Sequence, residues 1–391
     1  MAVLCLSFHA PYRCAHSGAC CKSGWPIPVE VPLALELKRS LASGELRLDA
    51  GEEGGLAREP LETPGALPPD VGALTRSDAA GVCAFYRRGS GLCAIHGQLG
   101  PGRLPSSCAH FPRVCLIDED AVYVTLSHYC PTVAELLFDP AARREIAAAP
   151  PALLAGIHVE GLDARGQLPP LLRPGMLADR VSYRRWERFV VEELAEGSGT
   201  VEARIAQTAS VTDRVSGWSP ADGRTLEQHT EACIEESLSR HGAGRKPCSD
   251  RGTRASVSGS ASDISRLYDH VRASCPGALA PPATPRDLGP LFARSVDPEW
   301  EAWSRVVGRY LAAKVFGSWL AYQGRGLGTV LAGAFAALAV VRVEAARQCA
   351  ANDRTLDGAL LKEAIRQADL LLVHLASREA LADRLDHLVI P

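Results

Sequence analysis

The chain has 391 residues, of which 47% are hydrophobic and 22% are charged, and its formal net charge is −3. This apolar content excludes wholesale disorder, and the length allows two or three domains with buried cores. Because 42 basic residues stand against 45 acidic ones, the strongly basic profile of a dedicated nucleic-acid binder is also excluded.

The N-terminal third has few long amphipathic periods. A helix is predicted near residues 31–41, where leucines recur every four residues. Residues 49–69 are rich in Gly and Pro, which predicts an irregular loop. The alternation in AVYVTLS, residues 121–127, predicts one short strand. We therefore expect loops that are held together by something other than a large core.

The pattern becomes helical from about residue 180. Apolar side chains between residues 183 and 194 keep one face of a helix, with charged side chains on the other. Thr355 is placed to cap a helix that continues to Leu375. The Gly-, Ser- and Pro-rich segment 241–290 predicts a linker or insertion, with a short helix near residues 263–272.

These elements predict a mainly α protein with two parts. The first is an irregular, cysteine-rich, metal-binding N-terminal domain with few short strands, and the second is an all-helical domain. The predicted divisions are a cysteine-cluster domain, a helical middle region, a linker or insertion and a C-terminal helical domain. Their bounds are 1–140, 141–240, 241–290 and 291–391.

Two features of the chain bear on its compartment. The start, MAVLCLSFHAPYRC, has no basic segment ahead of its apolar run, which Ser7, His9 and Pro11 interrupt, so a secretory signal is not predicted. The apolar stretch 326–341 is shorter than the ~20 residues that span a bilayer, so a buried helix is predicted. We expect a cytoplasmic protein with no membrane partner, whose thiols stay reduced.

Cysteines are concentrated at one end of the chain. Nine of the thirteen lie in the first 130 residues, in or beside turn-forming Gly, Ser and Pro. In a reduced compartment such clusters indicate metal binding or catalysis rather than disulfides. Thiolates suit zinc and iron–sulfur clusters, because both prefer sulfur ligands. The dispersed Cys233, Cys248, Cys275 and Cys349 are predicted to be incidental.

The spacing of these cysteines leaves alternatives open. No CxxC pair and no bacterial ferredoxin run occurs. The adjacent Cys20 and Cys21 either serve two irons of one cluster, or one is a ligand and the other a core residue. Cys5 and Cys115 are expected to be small buried apolar residues. An imidazole can replace a thiolate, and five histidines fall in this region: His9, His16, His96, His110 and His128.

Four pieces of sequence occur in a fixed order: CAHSGACCKSGWPI, CAFYRRGSGLCAIHGQLG, LPSSCAHFPRV and SHYCPTVAELL. Together they resemble a cysteine-cluster family described as zinc- or iron-chelating, and most closely its flagellin lysine-N-methylase branch. The similarity is sharpest over residues 10–138. Over residues 300–380 it is looser, where YLAAKVFGSWL and IRQADLLLVH are similar in layout to the helical half of that branch.

This resemblance implies seven metal ligands, which are Cys14, Cys20, Cys21, Cys83, Cys93, Cys108 and Cys130. It also implies an iron–sulfur cluster of the four-iron four-sulfur type, and S-adenosylmethionine-dependent methylation of lysines on a protein substrate such as flagellin. The residue types alone leave zinc open as the metal. No strand followed by GxGxxG and no CxxxCxxC motif occurs, so the sequence assigns no methyl-donor site.

Three functions therefore compete: a protein-lysine methyltransferase, a non-enzymatic metal-binding or metal-handling module, and a redox protein. Methyl transfer to lysine needs a group that takes the proton of the amine. Tyr86, Tyr123 and Tyr129 lie near the cysteines and are nominal candidates, expected mainly to pack. Arg113 is predicted to offset thiolate charge, and Arg87, Arg88 and Arg103 are predicted to be solvated. The oligomeric state stays open.

Overall fold

The structure is a computed structural model, and it describes residues 1–49, 60–63, 67–141, 145–154, 159–242, 260–276 and 281–386. Helix makes up 56% and strand 13%, which confirms the mainly α class. The helices of the N-terminal part are short: α1 (Val31–Ser43), α2 (Ala94–Leu99), α3 (Ser106–His110), α4 (Pro131–Leu136) and α5 (Pro151–Leu154).

The helices after residue 180 form what we call the helical body, residues 180–386. They are α6 (Arg180–Glu196), α7 (Val201–Ser216), α8 (Leu226–Gly242), α9 (Ala261–Ala273), α10 (Leu288–Leu291), α11 (Asp297–Trp300), α12 (Ser304–Val315), α13 (Leu327–Asn352), α14 (Gly358–Asp369) and α15 (Arg378–Asp386). A π-helical turn, Leu370–Leu375, separates α14 from α15.

The centre of the helical body is α13, which is apolar on nearly every side. By length and composition it could cross a membrane, but 89% of its most apolar window is buried inside the structure. Helices α7, α9, α12 and α14 pack around it. The predicted buried helix over residues 326–341 is therefore confirmed. Fully buried Trp186 and Tyr310 belong to the same core, on α6 and α12.

In the described part of the chain the strands are short and are distributed over four sheets. They are β1 (Ala2–Leu6), β2 (Pro28–Glu30), β3 (Leu61–Glu62), β4 (Val71–Thr75), β5 (Tyr86–Arg87), β6 (Leu92–Cys93), β7 (Arg113–Ile117), β8 (Ala121–Leu126), β9 (Ile146–Ala148), β10 (Gly161–Asp163), β11 (Leu171–Arg173) and β12 (Met176–Leu177). The main sheet has the order β10-β7-β8-β1-β9, with β1 parallel to β8 and β7 antiparallel to it.

Alternation along the main sheet gives it two buried faces. Leu116 and Tyr123 point into the core that they share with the helical body. Cys115 and Val124, paired across β7 and β8, belong to a smaller cluster on the other face. Because the sheet and the helices share one core, the predicted separation at residue 140 into a cysteine domain and an all-helical domain is not confirmed.

A second, small core lies in what we call the cysteine lobe, the described part of residues 19–110. Here β2, β4 and β3 form an antiparallel sheet, α1 packs on it, and β5 and β6 form a hairpin. Its buried apolar side chains are Val29, Ala34, Leu37, Leu46, Leu61, Ala73, Phe85, Ala94 and Ile95. The lobe thus has a core of its own, far smaller than that of the helical body.

Two buried charged residues of the helical body contact the segment that follows β8, residues 127–139. Arg309 is fully buried and donates hydrogen bonds to the carbonyls of Leu137 and Asp139, at 2.9 and 2.7 Å. Asp369 is fully buried as well, and its carboxylate accepts hydrogen bonds from the backbone N–H of His128 at 2.5 Å and from the Tyr310 hydroxyl at 3.1 Å. Such contacts fix how the two parts sit against each other.

Several predicted elements need correction. The helical middle region, 141–240, begins with strands β9 to β12, and long helix starts only at α6. These strands have two or three residues, too few to show a period of two. The cap of α14 is Asp357, which accepts a hydrogen bond from the N–H of Leu360 at 2.8 Å, rather than Thr355.

Three predicted elements are confirmed. The helix near residues 31–41 is α1, the strand at 121–127 is β8, and the short helix near 263–272 is α9. In α9 the side chains of Ile264, Tyr268 and Val271 are buried, so this part of the predicted linker packs on the helical body. Most of the remaining linker, at 243–259 and 277–280, lies outside the described residues, as do positions 50–59 and 64–66 of the predicted loop.

Candidate metal centre

One cavity of about 900 Å³ lies between the cysteine lobe, the main sheet and the end of the helical body. All seven predicted metal ligands line it, and Cys115 does so as well. The lining cysteines are Cys14, Cys20, Cys21, Cys83, Cys93, Cys108, Cys115 and Cys130. The fold therefore brings together four cysteine motifs that are far apart in the sequence.

A tight turn presents the adjacent thiols Cys20 and Cys21. Gly18 precedes it with φ +67°, and a Cβ there would lie 2.6 Å from a ring carbon of Tyr86, so the position favours glycine. Residues Ala19–Lys22 then form one 3₁₀ turn. The two Sγ atoms are 4.0 Å apart, so both thiols face the same cavity although their residues are neighbours in the sequence.

Backbone hydrogen bonds place the next two cysteines against this turn. The N–H of Cys83 donates to the carbonyl of Cys21 at 2.8 Å. Cys93 lies across the β5–β6 hairpin from Tyr86. The Gly-Ser-Gly sequence at 89–91 closes that hairpin, with Gly91 at φ +72°. A turn and a hairpin therefore give Cys83 and Cys93 their positions on the cavity.

Two cysteines immediately precede helices. Cys93 comes before α2 and Cys130 before α4. The sulfur of Cys93 accepts hydrogen bonds from the backbone of Ile95 and His96, and these bonds act to lower its pKa. Thr132 and Val133 act in the same way on Cys130. Burial raises the pKa of both thiols, so these hydrogen bonds offset only part of the cost of the thiolate form, which is the form that binds metal.

Cys108 lies on the short helix α3. The first N–H of this helix, from Ser106, donates to the Glu30 carboxylate at 2.9 Å, which ties the helix to β2. Cys108 is half-buried, and burial together with the neighbouring Cys93 and Cys83 raises its thiol pKa. Cys108 therefore reaches the same group of sulfurs from the far side of the lobe.

Five of the cysteines influence one another electrostatically, and we call them the five-thiol group: Cys20, Cys21, Cys83, Cys93 and Cys108. Burial and like charge raise the pKa of Cys83 to about 11. A hydrogen bond from the Cys21 thiol lowers the pKa of Cys20 to about 7. Several thiolates so close together repel, and a cation among them reverses that penalty.

The other two predicted ligands form a separate pair. Burial is the main cause that raises the pKa of Cys130, with a smaller effect from Cys14, and both cysteines act on the nearby Tyr12. The N–H of His16 donates to the sulfur of Cys14 at 3.4 Å, and His16 has φ +53°. The seven cysteines thus divide into five and two within one cavity.

The thiol sulfurs of the described cysteines do not converge on one point where a single metal ion would bind. Within the ranges that the structure describes, no three His, Cys, Asp or Glu side chains converge closely enough to hold one metal ion. A tetrahedral zinc site, with Zn–S bonds of ~2.3 Å, places its sulfurs ~3.8 Å apart. Only pairs approach this spacing here, such as Cys20 with Cys21 at 4.0 Å.

The five candidate histidines separate into two sets. His16, His96 and His110 line the cavity, and the rings of His16 and His96 have centroids 5.2 Å apart. His9 and His128 are fully buried in the protein, with their Nε2 atoms 3.2 Å apart. Burial lowers the pKa of both well below the usual range, so they are neutral members of the core.

The remaining described cysteines lie mostly in the interior, and Cys5 and Cys115 are buried as predicted. Cys5 is buried in β1, and Cys233 and Cys349 are buried in α8 and α13. Cys115 is buried in β7 but also reaches the cavity, 3.8 Å from Nε2 of His110. Cys275 follows α9, half-buried. Cys248 lies outside the described residues.

The predicted arginines behave differently from one another. Arg113 lines the cavity and donates to backbone carbonyls, including that of Leu153 at 2.5 Å. Arg87, Arg88 and Arg103 instead form exposed ion pairs with acidic residues, and such pairs contribute little. The structure thus places Arg113 on the cavity wall and the other three in exposed ion pairs, and the offset of thiolate charge by Arg113 stays a prediction.

None of the three nominal tyrosines is among the residues that line the cavity in the described part of the chain. Tyr123 is buried in the main core with the Arg184 guanidinium 3.7 Å from its ring centre. Tyr129 is buried behind Trp25, with ring centres 5.2 Å apart. Tyr86 packs beside the turn at Gly18. All three pack, as expected.

Part of the cavity lining is aromatic, and we define this aromatic wall as Trp25, Phe111 and His374. The ring centres of Trp25 and His374 are 4.7 Å apart, and those of Phe111 and His374 are 6.0 Å apart. His374 Nε2 shares a hydrogen bond with Ser127 Oγ at 2.7 Å. Burial lowers the pKa of His374 to about 4, so its imidazole is neutral at pH 7.

Sequence reasoning missed most of this wall and its neighbours Trp319 and Arg378, which also line the cavity. The motif pieces GWPI and IRQADLLLVH contain Trp25 and His374, but no spacing relates two residues so distant in the chain. Their proximity depends on how the π-helical turn after α14 packs on the cysteine lobe. A single sequence carries no signal of that packing.

Comparison of the chain with family models, with curated proteins and with solved structures finds no match in any of the three. The resemblance to the flagellin lysine-N-methylase branch therefore stays a prediction that rests on the cysteine motifs.

Proposed function

We propose that this protein binds an iron–sulfur cluster through thiolates of the five-thiol group. We further propose that it uses the adjoining cavity for S-adenosylmethionine-dependent methylation of lysine on a protein such as flagellin. The observation that carries the first proposal is the convergence of all seven predicted ligands on one cavity. The second rests on the resemblance of the motifs to the lysine-N-methylase branch.

The donor set fits a cluster. Iron–sulfur clusters are held by cysteine thiolates, and hydrogen bonds to the sulfurs tune them. Cys20, Cys83 and Cys93 each accept at least one backbone N–H hydrogen bond that favours the thiolate. The thiolates carry negative charge, and Arg113 provides a positive charge on the same cavity wall. These features support four ligands from the five-thiol group, with one thiol to spare.

Zinc is the weaker alternative for this group. One zinc ion takes four ligands and draws them to ~3.8 Å from one another. In the described residues only pairs of donors come that close, and the five-thiol group spreads over a turn, a hairpin and a helix. A cluster of several irons accommodates thiols that lie further apart, so the distribution favours iron and sulfide.

The size of the cavity supports a role beyond metal storage. Small-molecule sites typically measure ~300–1,000 Å³, and this cavity of about 900 Å³ falls near the top of that range. A bound cluster would supply redox chemistry beside the remaining space. Trp25 and Phe111 present aromatic rings to this space, and His374 beside them is neutral at pH 7.

One observation favours a second function, a metal-handling module without catalysis. Cys14 and Cys20 are exposed, so a metal held near them is accessible to a partner's thiols. Ligand exchange between proteins requires such access. Methylation assays separate the two functions, because a metal-handling module transfers metal to an acceptor and leaves lysine unmodified.

The experiment is anaerobic purification of the full chain and of single serine variants, with analysis of iron and acid-labile sulfide. Cys83→Ser, Cys93→Ser and Cys108→Ser are each expected to lose most of the iron. Cys233→Ser and Cys349→Ser are the matched controls, because both thiols are buried in the helical body, and they should retain it. Equal iron loss in both groups, or zinc without sulfide in the parent protein, would contradict the proposal.

The methylation proposal has its own assay. The metal-loaded protein is incubated with flagellin and methyl-labelled S-adenosylmethionine, and label on lysine is measured by peptide mass spectrometry. We expect methyl-lysine with the parent protein and none with Cys93→Ser. Retained iron with no methyl-lysine would remove the enzymatic proposal and leave the metal-binding one in place.

A further inference from the structure

Arg378 differs from the other arginines of the cavity wall. Arg13 donates to the carbonyl of Tyr12 at 2.6 Å, and Arg113 to that of Leu153 at 2.5 Å. Arg378 stacks on the indole of Trp319, with its guanidinium carbon 3.6 Å from the ring centre. Among the residues that the structure describes, no carboxylate or carbonyl accepts a hydrogen bond from it. Its five N–H donors are therefore available to a ligand.

Arg378 lines two cavities. It lines the main cavity, and it also lines a smaller one of about 100 Å³ together with Trp319 and Val373. The smaller cavity contains Lys314, whose ammonium pairs with Asp369. The Asp369 carboxylate therefore already pairs with Lys314, and it does not form an ion pair with Arg378.

The surroundings of Arg378 are positively biased. Apart from the cysteine thiols, Glu160 is the one acidic residue that lines either cavity in the described chain, whereas Arg13, Arg113 and Arg378 all line the main cavity. Burial without a carboxylate partner lowers the pKa of Arg378 to about 10, at which it still carries its charge at pH 7. A half-buried, charged guanidinium without an acceptor is costly, and an anion that enters the cavity offsets that cost.

We infer that Arg378 binds the oxyanion of a small-molecule ligand, a carboxylate or a phosphate, where the two cavities meet. The planar guanidinium matches both anions through two parallel hydrogen bonds. The indole of Trp319 fixes the orientation of the guanidinium plane by stacking. The ligand body then lies beside the aromatic wall, because Arg378 is close enough to act electrostatically on His374, and both side chains line the main cavity.

The test is isothermal titration calorimetry on the full, anaerobically purified protein with three probes. S-adenosylhomocysteine carries a carboxylate, 5′-methylthioadenosine has a similar thioether nucleoside without it, and inorganic phosphate supplies the other anion. The choice of the two nucleosides rests on the proposed function, whereas the phosphate arm does not. A preference for S-adenosylhomocysteine over 5′-methylthioadenosine identifies a carboxylate ligand, and phosphate binding with no such preference identifies a phosphate.

Arg378→Gln is expected to weaken binding of the anionic probe roughly ten- to a hundredfold, the loss of a charged hydrogen-bonded contact. Arg378→Lys keeps the charge without the planar pair of donors, so a smaller loss is expected, and it replaces Arg378→Gln if that variant fails to fold. Arg384→Gln is the matched control, because Arg384 is exposed on the same helix α15.

Iron content is measured on every variant, so that a failure of the metal centre is recognised separately from a failure of the anion site. We expect Arg378→Gln to keep its iron and lose its preference for the anionic probe. Absence of binding by both anionic probes to the parent protein at millimolar concentration would overturn the inference. So would an unchanged affinity in Arg378→Gln and Arg378→Lys.

Discussion

The cysteine lobe and the helical body bury apolar surface on very different scales. The lobe contains a small core under a three-stranded sheet and one helix, whereas the helical body has a continuous core that runs through all of its long helices and includes one face of the main sheet. Small cores rarely stabilise a fold alone, and metal sites commonly supply what is missing. We therefore expect that the proposed metal stabilises the lobe and that the helical body folds without it.

The largest expected effect comes from removing the metal. Chelation of the proposed metal should unfold the lobe, so that its amides, such as those of α1 and the β5–β6 hairpin, lose nearly all of their protection from hydrogen exchange. Amides of α13 should keep their protection, because that helix is buried in the helical body. Exchange followed by mass spectrometry measures both regions in one experiment. Equal loss of protection in the two regions would mean that the lobe does not depend selectively on metal.

The next largest effect is expected at the junction between the regions. Asp369 is fully buried and pairs with Lys314, so Asp369→Ala leaves an unpaired ammonium in the interior. Breaking a buried pair in this way costs about 3–5 kcal/mol. Urea unfolding should show that loss in the global transition. Asp386→Ala, at an exposed position of α15, is the control and should change stability by less than about 0.5 kcal/mol.

Protonation of His374, in the aromatic wall, is expected to lower the stability of the folded protein at acid pH. The folded protein lowers the pKa of His374 to about 4 from its usual 6.5. The unfolded chain therefore binds more protons between these values, and stability falls as the pH drops through that window. Between pH 7 and pH 5 this amounts to roughly 2 kcal/mol. His374→Gln should flatten this part of the profile of unfolding free energy against pH, and an unchanged slope would exclude His374 as its source.

The smallest of these effects is expected within the lobe. Gly18→Ala adds a Cβ that meets the Tyr86 ring at 2.6 Å and strains a left-handed residue, at about 1 kcal/mol. Because Gly18 sets the turn of Cys20 and Cys21, iron content after purification should fall as well. Gly89→Ala, where an added Cβ meets nothing within 4 Å, is the matched control and should retain full iron.

Sequence reasoning worked where residue type alone carries the chemistry. Thiols are few and distinctive, so the cysteine motifs predicted a set of side chains that do line one cavity. Helical periodicity likewise predicted α1 and α6, because each repeats an apolar face over several turns.

The same reasoning failed where structure depends on distant packing. Strands of two or three residues, such as β10 and β12, have no period to detect, and they form by pairing with partners elsewhere in the chain. His374 and Arg378 reach the cavity through the course of the chain after α14, which no local pattern encodes. The predicted cap of α14, Thr355, lies two residues before the observed cap, Asp357, because both residues have suitable side chains.

Native mass spectrometry of the anaerobically purified full chain tests the central claim most directly. We expect a mass increment equal to four irons and four sulfides per chain, which disappears in Cys93→Ser and persists in Cys349→Ser. An increment of zinc alone, or no increment in the parent protein, would contradict the assignment of an iron–sulfur cluster to the five-thiol group.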